Sequence, residues 1–206
     1  MLKTLLAEHR AARFAIAAAT GAAGVLCFAP FGLFWLAPLV WLGLFHLLLG
    51  AGTVRQAALT GLAFGLGFFL SGVSWVYVSL SVFGGMPWWL AGIAAFLFCS
   101  VMALFPMLAG ALFKRWQPAS PWQQALYFAT LIAAVDWLRS WIFTGFPWLT
   151  VGYSQAPPSP LAGFAPLLGV HGLSLLVVLA GALLLRWRLG LGFIALTAAA
   201  GYGLQQ

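Results

Sequence analysis

Two charged residues stand out because almost nothing else in the chain is charged: Asp136 and Arg139, three apart inside an otherwise apolar run. A spacing of three places both side chains on one face of a helix, close enough to pair. Such a pair can do one of two things. It can lock its helix to a neighbour as an ion pair, or Arg139 can offer its planar fork to a phosphate while Asp136 orients it. The other reactive side chains do not assemble into chemistry. Cys27 and Cys99 each lie in an apolar stretch, as small buried hydrophobes do, and His9, His46 and His171 are too far apart to show metal-ligand spacing. The sequence therefore predicts no catalytic residue, no metal site and no cofactor of its own.

The pair is followed by an uncharged, ring-rich segment, "TGFPWLTVGYSQAPPSPLAGFAP", from Thr144. Two shorter connections share its character: "APFGLF" near Pro30 and "SVFGGMPWW" from Ser81. None of the three contains Lys, Arg, Asp or Glu. Trp and Tyr favour the headgroup level of a bilayer, with the ring in lipid and the polar atom in water. A long connection without charge is usually functional or disordered, and its aromatic content argues for order.

The elements that position these segments follow from composition. The chain is 64% hydrophobic and 5% charged, with a mean hydropathy of +1.06, which excludes an ordinary soluble domain. No ten-residue alternation of polar and apolar residues marks barrel strands, so the fold class is an all-α, polytopic membrane helical bundle. Apolar runs predict about seven transmembrane helices, roughly 14–29, 34–50, 57–80, 88–112, 122–143, 166–185 and 189–205, forming one domain over 1–206. With a cytoplasmic amino terminus, Lys3, Arg10, Arg13, Arg55, Lys114, Arg115, Arg186 and Arg188 all fall inside, and only Arg139 does not. That alternation accounts for the net charge of +7, and the scattered cations form no basic face for nucleic acid. The first apolar run follows a charged segment as a signal peptide would. Leu26 before Cys27 is a poor cleavage position, so the run reads as an uncleaved first span.

Finer features concern packing. Ser120-Pro121-Trp122-Gln123 reads as a helix start, with Ser120 as N-cap and Gln123 reaching back. Gly61, Gly65 and Gly72 fall close to one helix face, and the Gly61/Gly65 pair would let another helix approach closely. Asp136 and Arg139 fall in the outer part of the fifth span, near the outward interface.

At "TGFPWLTVGYSQ" the chain resembles the membrane region of the bacterial apolipoprotein N-acyltransferases. "FAPFG" from Phe28, "SGVSWVYVSLSVFGGMP" from Ser71 and "FAPLLGVHGLSLLV" from Phe164 agree in order and spacing, although that family often has Glu where Asp136 stands here. The resemblance implies a multi-pass protein of the bacterial inner membrane. It implies transfer of an acyl chain from phospholipid to the amino-terminal cysteine of a diacylglyceryl lipoprotein, by a nitrilase-like domain with a Glu-Lys-Cys triad. Such a domain would begin where this chain reaches Gln206. The expectation is thus a membrane platform, inactive alone, with the catalytic domain supplied in cis or missing. The partners implied are phospholipid and lipoprotein. The matching candidates for lipid contact are Trp75, Tyr77, Asp136, Arg139, Trp148, Tyr153 and Gln155. The competing readings are a small multi-span transporter and a non-enzymatic membrane protein that binds lipid or lipoprotein.

Overall fold

The computed structural model describes residues 2–205, with side chains from residue 11 onward. The side chains of Lys3 and Arg10, on which part of the charge alternation rests, lie outside the described residues, as do those of Glu8 and His9.

The described chain is an all-α bundle. Its helices are α1 (Leu2–Gly24), α2 (Ala37–Leu49), α3 (Val54–Gly72), the short α4 (Trp75–Val78), α5 (Trp88–Arg115), α6 (Pro121–Arg139), α7 (Ala165–Leu183) and α8 (Trp187–Leu204). Among the described residues three helical stretches are long and apolar enough to cross a membrane: Val54–Gly72, Trp88–Arg115 and Pro160–Leu204. Two shorter apolar stretches, Ala11–Cys27 and Phe34–Leu49, accompany them.

Local sequence sets several helix ends. Thr53 caps α3 by accepting from the Gln56 amide at 3.1 Å, and Gln56 reaches back to the Gly52 amide at 2.8 Å. This reciprocal arrangement contributes about 1 kcal/mol. Arg13 on α1 donates to the carbonyls of Leu47 at 2.6 Å and Gly50 at 2.9 Å, which closes the carboxyl end of α2. At α6 the expected cap is only half present: Ser120 holds the N-cap position without a side-chain bond. Gln124, rather than Gln123, reaches back, donating to the Pro118 carbonyl at 2.7 Å.

Helix α3 is the middle of the bundle, packed between α1 and α5. Gly61 explains the second contact, since a Cβ there would stand 2.2 Å from the Pro106 carbonyl oxygen, and a Cβ on Gly65 would meet Ala103 and Pro106. Gly72 lies against Leu149 of the loop after α6 and against Val25. An aromatic core fills the centre, with Trp41 5.2 Å from Phe64 and Phe45 stacked 5.0 Å from Phe128. Each such pair adds about 0.5–1.5 kcal/mol beyond its burial.

Two apolar runs are interrupted where hydropathy shows no break. The run over 57–80 stops being one helix at Val73, then continues as α4 and a π turn over Ser79–Phe83. The run over 122–143 ends as a helix at Arg139, because the chain turns back there through Phe143 (φ 62) and Gly145 (φ 76). The amide of Phe146 then donates to the Arg139 carbonyl at 2.9 Å. Helix α7 contains a break of its own at Gly169 (φ 64, ψ −179).

Candidate functional site

The last turn of α6 holds the loop that follows it. Asp136 and Arg139 are both buried, Arg139 to 2% exposure. One guanidinium nitrogen of Arg139, Nη1, donates to the carbonyls of Phe146 and Trp148, the latter at 2.7 Å. The other, Nη2, donates to Asp136 Oδ1 at 3.0 Å and to Thr150 Oγ1 at 3.3 Å. The face of the group lies 5.3 Å over the Phe69 ring of α3. Asp136 Oδ2 accepts from the Val151 amide at 2.9 Å and has the Ser174 hydroxyl of α7 at 3.4 Å. A buried ion pair is tolerated only when its remaining donors and acceptors are satisfied, and here the loop backbone satisfies them.

The same thread continues through the loop. Ser174 Oγ accepts from the Gly152 amide at 2.9 Å. Gly152 has to be glycine, since a Cβ would stand 2.0 Å from the Val170 carbonyl of α7. Gln155 is buried, donating from Nε2 to Ser154 Oγ at 2.9 Å and to the Phe34 carbonyl at 3.3 Å, and accepting from Ser159 at 2.8 Å. Gln205 of the chain's last described residues donates to the carbonyls of Ser159 and Pro160. The segment after α6 is therefore a folded unit with two 3-10 turns, Val151–Gln155 and Pro160–Phe164, seated on α7 and α8.

Holding the loop this way creates an apolar groove of about 510 Å³. Phe28 lines it from the first connection, Gly72 and Trp75 from the end of α3 and start of α4, and Trp148, Leu149 and Tyr153 from the loop. The first and third ring-rich connections of the sequence thus meet the start of α4 here, while the second, over 81–89, stays outside the groove lining. The rings of Trp75 and Trp148 are 5.7 Å apart, Trp148 stacks on Phe146 at 5.1 Å, and Phe146 meets Phe98 of α5 at 4.8 Å. Leu149 is held in the left-handed region (φ 59) between two residues bonded to Arg139. A strained conformation of this kind costs about 1–3 kcal/mol and persists only where its surroundings fix it.

The candidates from sequence therefore separate into two sets. Trp75, Trp148 and Tyr153 line the groove and are roughly half exposed. Tyr77 stands beside them on α4, outside the groove lining. Asp136, Arg139 and Gln155 lie behind the groove, bonded to the loop that forms it. Sequence reasoning did not single out Thr150, Ser154, Ser159, Ser174 or Phe28. For Ser174 there was a signal, a hydroxyl within the apolar run of α7; for Thr150 there was none beyond its place in the loop.

The groove has the chemistry of a receptor for an alkyl chain: apolar walls with an indole N–H and a phenol O–H nearby. Neither cysteine lines it. Both cysteines are buried; Cys99 donates from sulfur to the Phe69 carbonyl at 3.5 Å, and Cys27 is enclosed with Trp41, Phe68 and Val151. Among the described residues no three His, Cys, Asp or Glu side chains gather where they could hold a metal ion.

Residues 20–183 match the family model described as the apolipoprotein N-acyltransferase N-terminal domain. A protein of Nitrosomonas europaea named apolipoprotein N-acyltransferase is 48% identical over 206 residues, which covers 94% of this chain and 40% of that protein. Namesakes from Photobacterium profundum and Methylococcus capsulatus are 44% and 45% identical, over 83% and 79% of this chain. They are covered to 33% and 32% of their own lengths, so the chain spans well under half of the relatives it matches. With four fifths of its residues inside that family model and relatives this similar, the chain belongs to the apolipoprotein N-acyltransferase N-terminal domain family.

Proposed function

We propose that this chain is the membrane platform of an apolipoprotein N-acyltransferase, multi-pass in the bacterial inner membrane, and that its aromatic groove receives an acyl chain of a lipid substrate. The whole reaction transfers an acyl chain from phospholipid to the α-amino group of a lipoprotein's amino-terminal diacylglyceryl-cysteine. The platform presents lipids, and the bond-making residues belong to a catalytic domain outside the described bundle. The observation that carries this reading is the groove itself: an apolar slot between Phe28, Trp75, Trp148 and Tyr153, built on a loop whose backbone is fixed by Arg139 and Asp136.

The topology that fits best has about seven spans and a cytoplasmic amino terminus, which puts the groove at the outward face. The cations Arg13, Lys114, Arg115, Arg186 and Arg188 then all lie at the inner end. In this reading Trp75, Tyr77, Trp148 and Tyr153 touch lipid, while Asp136, Arg139 and Gln155 act behind them as positioning residues. The transporter alternative draws no support from the described carboxylate. Asp136 is bonded at a helix end to Arg139 and Val151.

The test is photolabelling. The protein in lipid nanodiscs is exposed to a diacylglyceryl peptide with a photoreactive acyl chain, and adducts are mapped by mass spectrometry. Adducts concentrated on Phe28–Ala29, Trp75 and Pro147–Tyr153 support the proposal. Adducts spread evenly over the lipid-facing helices overturn it. In the same samples no N-acylated peptide is expected from residues 1–206 alone.

A further inference from the structure

The opposite end of the bundle carries a second, separate cavity. Helix α6 runs from Pro121 there to Arg139 at the loop, a length of about 27 Å at about 1.5 Å per residue. At its Pro121 end, α2, α6 and α7 part to leave about 220 Å³. Phe45 and Leu49 of α2, Ala125 of α6 and Leu183 of α7 form apolar walls. Arg186 and Trp122 stand at the mouth, both exposed, Trp122 to 57%. Pro121 and Trp122 belong to the first turn of α6, which Ser120 leaves without a side-chain cap.

We infer that this groove binds an anionic phospholipid of the leaflet opposite the aromatic loop. The lipid's phosphate would pair with the Arg186 guanidinium, its glycerol region would lie against the Trp122 indole, and one acyl chain would follow the wall of Phe45, Leu49 and Leu183. Two features favour a lipid over a soluble anion. The cavity is mostly apolar, and its cation sits at the rim beside an exposed indole. Charge complementarity selects the headgroup. The cationic side chains of this end include Arg13, Arg55, Lys114, Arg115 and Arg188 besides Arg186, of which only Arg186 lines this cavity, whereas Asp136 is bonded at the far end. Arg13 is already engaged with the Leu47 and Gly50 carbonyls, and Arg115 and Arg188 lie over Trp116 and Trp187, outside the cavity lining.

The experiment titrates the delipidated protein in detergent with phosphatidylglycerol, phosphatidylcholine or inorganic phosphate, and counts bound lipid by native mass spectrometry. Phosphatidylglycerol is expected to bind about fivefold more tightly than phosphatidylcholine, the advantage of one guanidinium near the surface. R186Q should remove that advantage, weakening phosphatidylglycerol more than phosphatidylcholine, whose choline already offsets its phosphate. R115Q, which changes a cation outside the groove, should alter neither. L185Q, in the exposed part of the groove lining, should weaken both lipids. Equal binding of the two lipids, equal losses in R186Q and R115Q, or displacement of the lipid by inorganic phosphate at matching concentration would each overturn the inference.

Discussion

Replacing Arg139 by leucine should release the loop after α6. The side chain makes four hydrogen bonds, two of them to loop carbonyls, and its loss leaves Asp136 buried without its ionic partner. Breaking a buried pair by removing one member costs about 3–5 kcal/mol. The cost falls first on the segment the guanidinium holds, so it should appear as local opening before global unfolding. About 3 kcal/mol corresponds to roughly a hundredfold change in an opening equilibrium. Hydrogen exchange by mass spectrometry in nanodiscs reads this directly. The amides of Val151 and Gly152, bonded in the wild type to Asp136 and Ser174, should lose about that much protection in R139L, while amides in α3 and α5 change little. Removing both charges, as D136L/R139L, should be less damaging than the sum of the single changes, because no buried charge is left unpaired. Wild-type protection at Val151 and Gly152 in R139L would refute the reasoning, since the pair would then not be holding the loop.

Other outcomes follow from the same geometry. Ser174→Ala leaves the Gly152 amide buried without an acceptor and should destabilise the loop by about 1–3 kcal/mol, read by the same exchange experiment. Gly61→Ala drives a methyl against the Pro106 carbonyl and should cost about 1–3 kcal/mol in thermal unfolding, whereas Gly92→Ala, whose added Cβ meets nothing within 4 Å, should be neutral or stabilising. Trp148→Ala, at a side chain 52% exposed, should lower photolabelling of the groove by a diacylglyceryl peptide without a comparable loss of stability.

The helical bundle class was legible because a chain this apolar must satisfy its backbone internally, and no strand-like alternation offered a barrel instead. The pairing of Asp136 with Arg139 was equally legible from their spacing of three. What Arg139 holds was not, because its other partners are mainly backbone carbonyls at Phe146 and Trp148, and a carbonyl is the same in every residue. Their arrival at the guanidinium depends on Phe143, Gly145 and Leu149 adopting positive φ, which for two ordinary side chains has no sequence mark. The same reasoning explains Gln155. A polar tip in an aromatic loop reads as a surface contact, yet its amide closes bonds between Phe34, Ser154 and Ser159. The break at Val73 was hidden because the apolar run resumes at Trp75 straight after Ser71, Gly72 and Ser74, and hydropathy averaged over a span does not distinguish one long helix from two short ones. Ring-rich composition marks the three connections as a set, yet the one over 81–89 stays out of the groove lining. Only the fold shows that Phe28, Trp75 and Trp148 line the same groove.

The most direct test of the central claim is an experimental density map of the protein in phospholipid nanodiscs. The account predicts an ordered acyl chain between Trp75 and Trp148, with the carbonyls of Phe146 and Trp148 still on Arg139. A groove closed by the loop, or Arg139 turned out to a headgroup with those carbonyls released, would contradict it.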